Sequence, residues 1–223
     1  MIEIYEYEKF YSYNHPPLTR SASPGSLKEG PRRVDNLYRA RALINRLVIA
    51  NTDYQLCAPR FVTFTFADNI TSLKEAHVFW GSFIRKLKIQ FPQIKYLAVV
   101  EFQKRGAVHY HVLFFNLPYK KGMKKNIHSL WGKGFIKFKS AKHIENIEHL
   151  GLYLSKYLQK EIMDMRLRGE KAFFGSKNLT RPVMYRDAVT CGQMKLLASE
   201  NNSTVTEYQS TYFGLIKKIT IKL

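Results

Sequence analysis

Glu101-Phe-Gln-Lys-Arg-Gly-Ala-Val-His-Tyr-His111 is the stretch on which the fold turns. Residues 95–103 and 107–115 flank Lys104-Arg105-Gly106, which predicts two strands joined by a tight turn in which Gly106 supplies a positive φ. Centring the turn at Arg105 sets Glu101 opposite His109 and Gln103 opposite Ala107. Because side chains alternate along a strand, Glu101, His109 and His111 then share one face. Ala98, Val100, Phe102, Val108, Tyr110, Val112 and Phe114 fill the other, an apolar surface suited to burial under helices. One face reads as core and the other as chemistry.

An isolated His-x-His on a strand is ordinarily a polar pair on a solvated sheet. An opposed carboxylate changes the chemistry, since two imidazoles and one carboxylate form a three-ligand divalent metal site with positions open for water or a phosphate oxygen. Gln103 is a reserve ligand. A metal held there can act as a Lewis acid on a phosphodiester.

A nucleophile is the natural complement, and Tyr153-Leu-Ser-Lys-Tyr157 offers two. The spacing predicts a helix over about 146–161 whose core stripe is Ile147, Leu150, Leu154 and Leu158. At about 100° per residue that stripe spans about −40° to +40° around Leu154, and Tyr153, Tyr157 and Lys160 lie between about −120° and −60°. Both phenols therefore project along one edge of the buried face. By itself such a pair is amphipathic packing, ring buried and hydroxyl wet. Beside a metal, a phenol can attack a phosphodiester and conserve its bond energy as phosphotyrosine. With a pKa near 10, only about one tyrosine in a thousand is ionised at neutral pH, so the nucleophile needs positive potential from Lys156 or the metal.

The rest of the chain supplies a frame for this pair of motifs. Residues 2–7 predict a short strand with Ile2 and Ile4 on one face and Glu3, Tyr5 and Tyr7 on the other, and a polar Pro/Ser/Gly stretch runs over 14–31 as loop or linker. Leu37, Tyr38, Leu43, Ile44, Leu47 and Val48, interleaved with Arg39, Arg41 and Arg46, predict a basic amphipathic helix over 34–50. Phe61-Val-Thr-Phe-Thr-Phe66 alternates as a strand. Ser72-Leu-Lys-Glu75 is a capping box opening a helix with Ala76, Phe79, Trp80, Phe83 and Leu87 inward, and Pro92 lies beyond its end. A lysine-rich loop (Lys120, Lys121, Lys124, Lys125), a short helix to Trp131 and a strand over 135–138 follow. Beyond Arg166 the pattern weakens until the last twenty residues, where Ile219, Ile221 and Leu223 alternate as a hairpin or as partners of the N-terminal strand. The expected architecture is α+β, a central antiparallel sheet with flanking helices and the tyrosine helix against the metal face. Its expected organisation is an N-terminal strand and flexible linker over 1–33, a catalytic domain over 34–190, and a β-rich extension over 191–223 packed on the same domain.

Thirty-six lysines and arginines against 17 aspartates and glutamates give a formal charge of +19, a surplus expected of a protein with a polyanionic partner. Cys57 and Cys191 stand alone, which argues against a disulfide framework or a cysteine zinc site. The first residues carry no basic leader with an apolar core, and no stretch reaches the roughly 18 apolar residues of a membrane span, so a cytoplasmic protein with no membrane partner is expected.

In order and in residues, these motifs resemble the HUH endonucleases that initiate rolling-circle replication of phages, plasmids and small DNA viruses. Phe61-Val-Thr-Phe-Thr-Phe66 looks like that family's first motif, Glu101 to His111 like its second, and Tyr153-Leu-Ser-Lys-Tyr157 like its third; Trp131-Gly-Lys-Gly134 is also similar to phage and plasmid initiators. The resemblance covers about residues 34–190. It implies a ferredoxin- or RRM-like sheet, Mg²⁺ or Mn²⁺ on Glu101, His109 and His111, and Tyr153 forming a 5′-phosphotyrosine while leaving a 3′-hydroxyl for a polymerase. Tyr157 would be the second nucleophile, and Lys156 the motif lysine that assists at the phosphate. Thr63, Thr65, Lys104, Arg105, Lys133 and Lys160 would contact DNA, with Lys120, Lys121, Lys124 and Lys125 tracking a single-stranded or hairpin origin. No GxxxxGK[ST] phosphate loop is present, so unwinding would fall to a host helicase. Two other readings stay open: a single-tyrosine HUH transposase, which needs a dimer exchanging tyrosine helices, and a non-catalytic single-stranded nucleic-acid-binding module whose sheet face stacks bases.

Overall fold

A computed structural model describes residues 1–7, 31–53, 55–140, 150–151, 153–157, 167, 170–210 and 214–221. The chain divides into two units, one of Met1–Lys28 with Val183–Leu223 and one of Glu29–Pro182.

In the larger unit the hairpin of β3 (Tyr96–Phe102) and β4 (Val108–Phe114) has the expected register: Glu101 pairs with His109 and Val99 with His111. The turn closes through Gln103 N–H to Ala107 O and Gly106 N–H to Gln103 O, both 2.8 Å, with Gly106 at φ 91°. Strand β2 (Arg60–Thr65) pairs with β4, β5 (Ile136–Ser140) with β2, and a three-residue β6 (Phe173–Gly175) with β3. The result is a five-stranded antiparallel sheet in the order β5-β2-β4-β3-β6, flanked by helices in an α+β fold.

One face of the sheet packs on α2 (Leu73–Gln90) and α3 (Met123–Trp131), with Val62, Phe64, Val100, Tyr110, Val112 and Phe114 buried against Trp80, Phe83, Leu87 and Ile127. Helix α2 starts as its capping box predicts, the Glu75 amide donating to Ser72 Oγ. Each large apolar side chain buried this way contributes about 1.5–3 kcal/mol.

The opposite face departs from the expectation of a surface given over to chemistry. Phe61, Leu97, Val99 and Leu113 are buried there with Ile44, Leu47 and Val48 of α1 (Pro31–Asn51) and with Leu150 and Leu154 of α4, the tyrosine helix, described at 150–151 and 153–157. The reason is that α1 and α4 are amphipathic too, and their apolar stripes need a cover. Leu43, placed in the α1 stripe by its spacing, is 37% exposed. Ile147, Leu158 and the linker over 14–30 lie outside the described residues. The two helices meet closely, since a Cβ on Gly151 would collide with Asn45 of α1.

In the smaller unit, β1 (Ile2–Tyr7), β7 (Ser203–Ser210) and β8 (Gly214–Ile221) form an antiparallel sheet in the order β1-β8-β7. Both alternatives for the C-terminal alternation occur together: β7 and β8 are a hairpin, and β8 pairs with the N-terminal strand, Ile2 opposite Ile221 and Ile4 opposite Ile219. Ile4 and Ile221 pack on Ala198 of α5 (Ala188–Glu200), and Lys195 of that helix binds Glu6 at 2.6 Å. Among the described residues, no helix is long and apolar enough to cross a membrane.

Candidate active site

Glu101 is the last residue but one of β3, and His109 and His111 alternate along β4, so the ladder alone brings their side chains to one face. Their ligand atoms all lie within 4.8 Å of one another. Glu101 Oε2 is hydrogen-bonded to His111 Nε2, and His111 Nδ1 lies 3.2 Å from Thr63 Oγ1 on β2. Thr63 thereby fixes the ring's orientation, as outer partners of metal-binding histidines do. Burial, then the neighbouring His111, lower the His109 pKa to about 4, so this imidazole is neutral at physiological pH. Its Nε2 is buried with no hydrogen-bond partner among the described residues. An orphaned buried nitrogen is costly, and here it sits with a second imidazole and a carboxylate. That donor set fits a divalent cation.

Helix α4 lays its two tyrosines over this group, their register against the sheet set by Leu150 and Leu154. The Tyr157 ring stacks on His111, centroids 3.6 Å apart and planes 14° from parallel, with Phe61 5.9 Å from both rings. Tyr153 meets Phe61 edge-on at 5.0 Å. The two hydroxyls are 3.3 Å apart, Tyr157 donating to Tyr153.

Their environments differ. Burial raises the Tyr153 pKa, but hydrogen bonds from Lys139 and Tyr157, with the charges of Lys156 and Lys139, outweigh it and hold the group below its ordinary value of 10. Tyr157 is raised, by burial first and then by Tyr153 and Glu101. Lys156 Nζ lies over both rings, 3.9 Å from the Tyr153 centroid and 5.3 Å from that of Tyr157.

Lys139, which escaped the sequence reading, donates to Tyr153 Oη at 2.9 Å. Its strand alternates Ile136 and Phe138 toward the α2 face, so Lys137 and Lys139 fall on the tyrosine face, opposite Thr63 and Phe61 of β2. That alternation is visible in the sequence; the pairing of β5 with β2, which gives it meaning, is not.

Several residues expected at DNA also contact protein groups. Thr65 Oγ1 donates to Phe135 O, and Arg105 donates to Phe66 O at 2.6 Å, Ala67 O at 3.3 Å and the reserve ligand Gln103 at 2.8 Å. Lys133 Nζ lies 4.4 Å above the Phe79 ring. Lys104 is exposed at the hairpin turn, and Lys160 lies outside the described residues.

Trp131-Gly-Lys-Gly134 also takes a structural part. Trp131 Nε1 donates to Thr65 O at 3.0 Å, and the amides of Thr65 and Ala67 donate to Phe135 O and Lys133 O, both at 2.9 Å. Gly134 has φ +151°, and a Cβ there would lie 2.5 Å from Ala67 N and Thr65 O, so this segment latches the end of β2 only as glycine.

A family model described as a replication-associated protein of the ORF2 type matches residues 59–162, a span that holds Glu101, His109, His111 and both tyrosines. It supports a role in starting replication and is consistent with the HUH superfamily. No curated protein and no solved structure matches the chain.

Proposed function

We propose, from the match of residues 59–162 to a replication-associated protein family, that the chain is a rolling-circle replication initiator that nicks and rejoins single-stranded DNA at a specific site. The observation that carries this reading is the seating of two phenols on a three-ligand group, with the Tyr157 ring flat on His111 and the Tyr153 hydroxyl beside it.

Glu101, His109 and His111 would hold Mg²⁺ or Mn²⁺. When bound, the ion supplies Lewis-acid polarisation of the scissile phosphate. Tyr153 Oη attacks phosphorus; the new O–P bond forms as the bond from phosphorus to the 3′ oxygen breaks, with its electron pair going to that oxygen. The net movement is one proton from the phenol to the 3′-hydroxyl. The product is a 5′-phosphotyrosine and a free 3′ end for a polymerase, with unwinding left to a host helicase. Lys156 and Lys139 stabilise the developing phenolate and the phosphate charge. Tyr157, 3.3 Å from the first phenol, is placed to attack a second junction while Tyr153 still holds the first end.

The test is incubation of the protein with labelled single-stranded DNA and Mn²⁺, then boiling in detergent. A covalent protein–DNA band is expected, absent in the double alanine variant of His109 and His111. Nicking retained by that variant refutes the metal role, and a folded wild-type protein that binds DNA but forms no adduct supports the non-catalytic module.

A further inference from the structure

The paired tyrosines pose a question that the nicking reading leaves open: what makes one of them attack first. Two lysines lie near. Lys156, on the same helix, lies over both rings, 3.9 Å from the Tyr153 centroid and 5.3 Å from that of Tyr157, so its charge leans toward Tyr153 but meets ring faces. Lys139 comes from edge strand β5 and bonds one hydroxyl, that of Tyr153, at 2.9 Å; its Nζ lies 5.6 Å from that ring's centroid, so it meets the oxygen rather than the π face. Tyr157 is committed differently, its ring against His111 and its hydroxyl donating to Tyr153. Tyr153 Oη therefore accepts two hydrogen bonds while Tyr157 Oη donates one, and an oxygen that already accepts two is the better prepared to carry negative charge.

Resting on the nicking reading, we propose that Lys139 is the residue that selects Tyr153 as the first nucleophile, by holding that hydroxyl in place and stabilising its oxyanion as the O–P bond forms. The proton leaves Tyr153 for the departing 3′ oxygen, and Lys139 keeps its own throughout. Lys139 is exposed, so replacing it removes little buried surface. Lys137, exposed on the same face and opposite Thr63, is the internal control for a charge that lies near the site and acts on neither phenol.

The experiment uses the full chain, a random-sequence single-stranded oligonucleotide pool and Mn²⁺, with mass spectrometry of the adduct to locate the modified tyrosine. Wild type should carry DNA on Tyr153, and so should Lys137→Met. Lys139→Met should lower the Tyr153 adduct about tenfold, the loss of one charge-assisted hydrogen bond to the reacting oxygen, equivalent to about 1.4 kcal/mol, and Lys139→Arg should restore it. In a Tyr153→Phe background, Lys139→Met should leave the residual Tyr157 adduct unchanged, the signature of a residue that acts through Tyr153. Without metal or DNA, the Tyr153 Cζ resonance should move in Lys139→Met and return in Lys139→Arg. Unchanged site and rate in Lys139→Met overturn the proposal. So does equal loss at both tyrosines, which marks a lysine serving the phosphate. A wild-type protein with no adduct overturns the nicking reading itself, whereas a wild-type Tyr153 adduct indifferent to Lys139 overturns this proposal alone.

Discussion

Tyr157 lies flat on His111, ring centroids 3.6 Å apart. A phenol expected to act on DNA is thus also the packing partner of a candidate metal ligand. Tyr157→Phe keeps the ring and should bind Mn²⁺ like wild type, whereas Tyr157→Ala removes the wall against which His111 stands and should weaken binding about tenfold, the lower end of outer-partner effects. Calorimetric titration of both variants checks this; equal affinity in Tyr157→Ala would mean that Thr63 and Glu101 suffice to orient His111.

The two tyrosines should fail differently. Tyr153→Phe is expected to lose the main first cleavage and keep only a residual adduct on Tyr157, and Tyr157→Phe to cleave but not to transfer the held end to a second junction. Single-turnover cleavage and joining assays separate the steps, and wild-type cleavage by Tyr153→Phe would promote Tyr157 to first nucleophile.

His109 makes the metal-free protein sensitive to acid. Its folded pKa of about 4 lies below the ordinary 6.5, so between the two the unfolded chain takes up a proton that the folded chain refuses. This contribution is complete above about pH 6.5 and declines as pH falls toward 4. Thermal melts in chelator should show a falling Tm over that window, and His109→Gln should flatten the part of the slope that belongs to this imidazole.

The latch at the end of β2 should be felt as stability. Gly134→Ala forces a Cβ onto backbone atoms at a positive φ and is expected to cost about 1–3 kcal/mol, while Trp131→Phe loses the bond to Thr65 O and about 1 kcal/mol. Urea unfolding measures both. A neutral Gly134→Ala would show that β2 and the latch move apart easily.

DNA binding should be steeply salt-dependent, with log affinity against log salt falling by about 0.7 for each phosphate neutralised on a single strand. Replacing Lys120 and Lys121 should lower the slope, whereas replacing Arg105, whose guanidinium is spent on Phe66 O, Ala67 O and Gln103, should act mainly through stability. A flat salt response would give the +19 charge another purpose.

What sequence reasoning reached, and what it missed, follow from the range of the forces involved. The pairing of Glu101 with His109 was legible because a period of two and a glycine turn determine a hairpin locally. Tyr153 and Tyr157 were legible as edge residues of a helix for the same reason. Lys139 was not, because its strand is five residues long and pairs with β2, which lies far earlier in the chain. Nor were β6, too short to show a period, or α5, whose apolar residues are spread around the helix with Val189 and Leu196 exposed. For Arg105, Lys133 and Thr65, expected at DNA, the carbonyls and ring that they also contact come from distant segments and left no local signal.

The alternation along β4 has a consequence for how this protein can fail. His109 and His111 face α4 while Val108, Tyr110 and Val112 face α2, so a slip of one residue would drive both imidazoles into the apolar layer under α2, away from Glu101. For this strand, correct folding and the gathering of Glu101, His109 and His111 are therefore a single event.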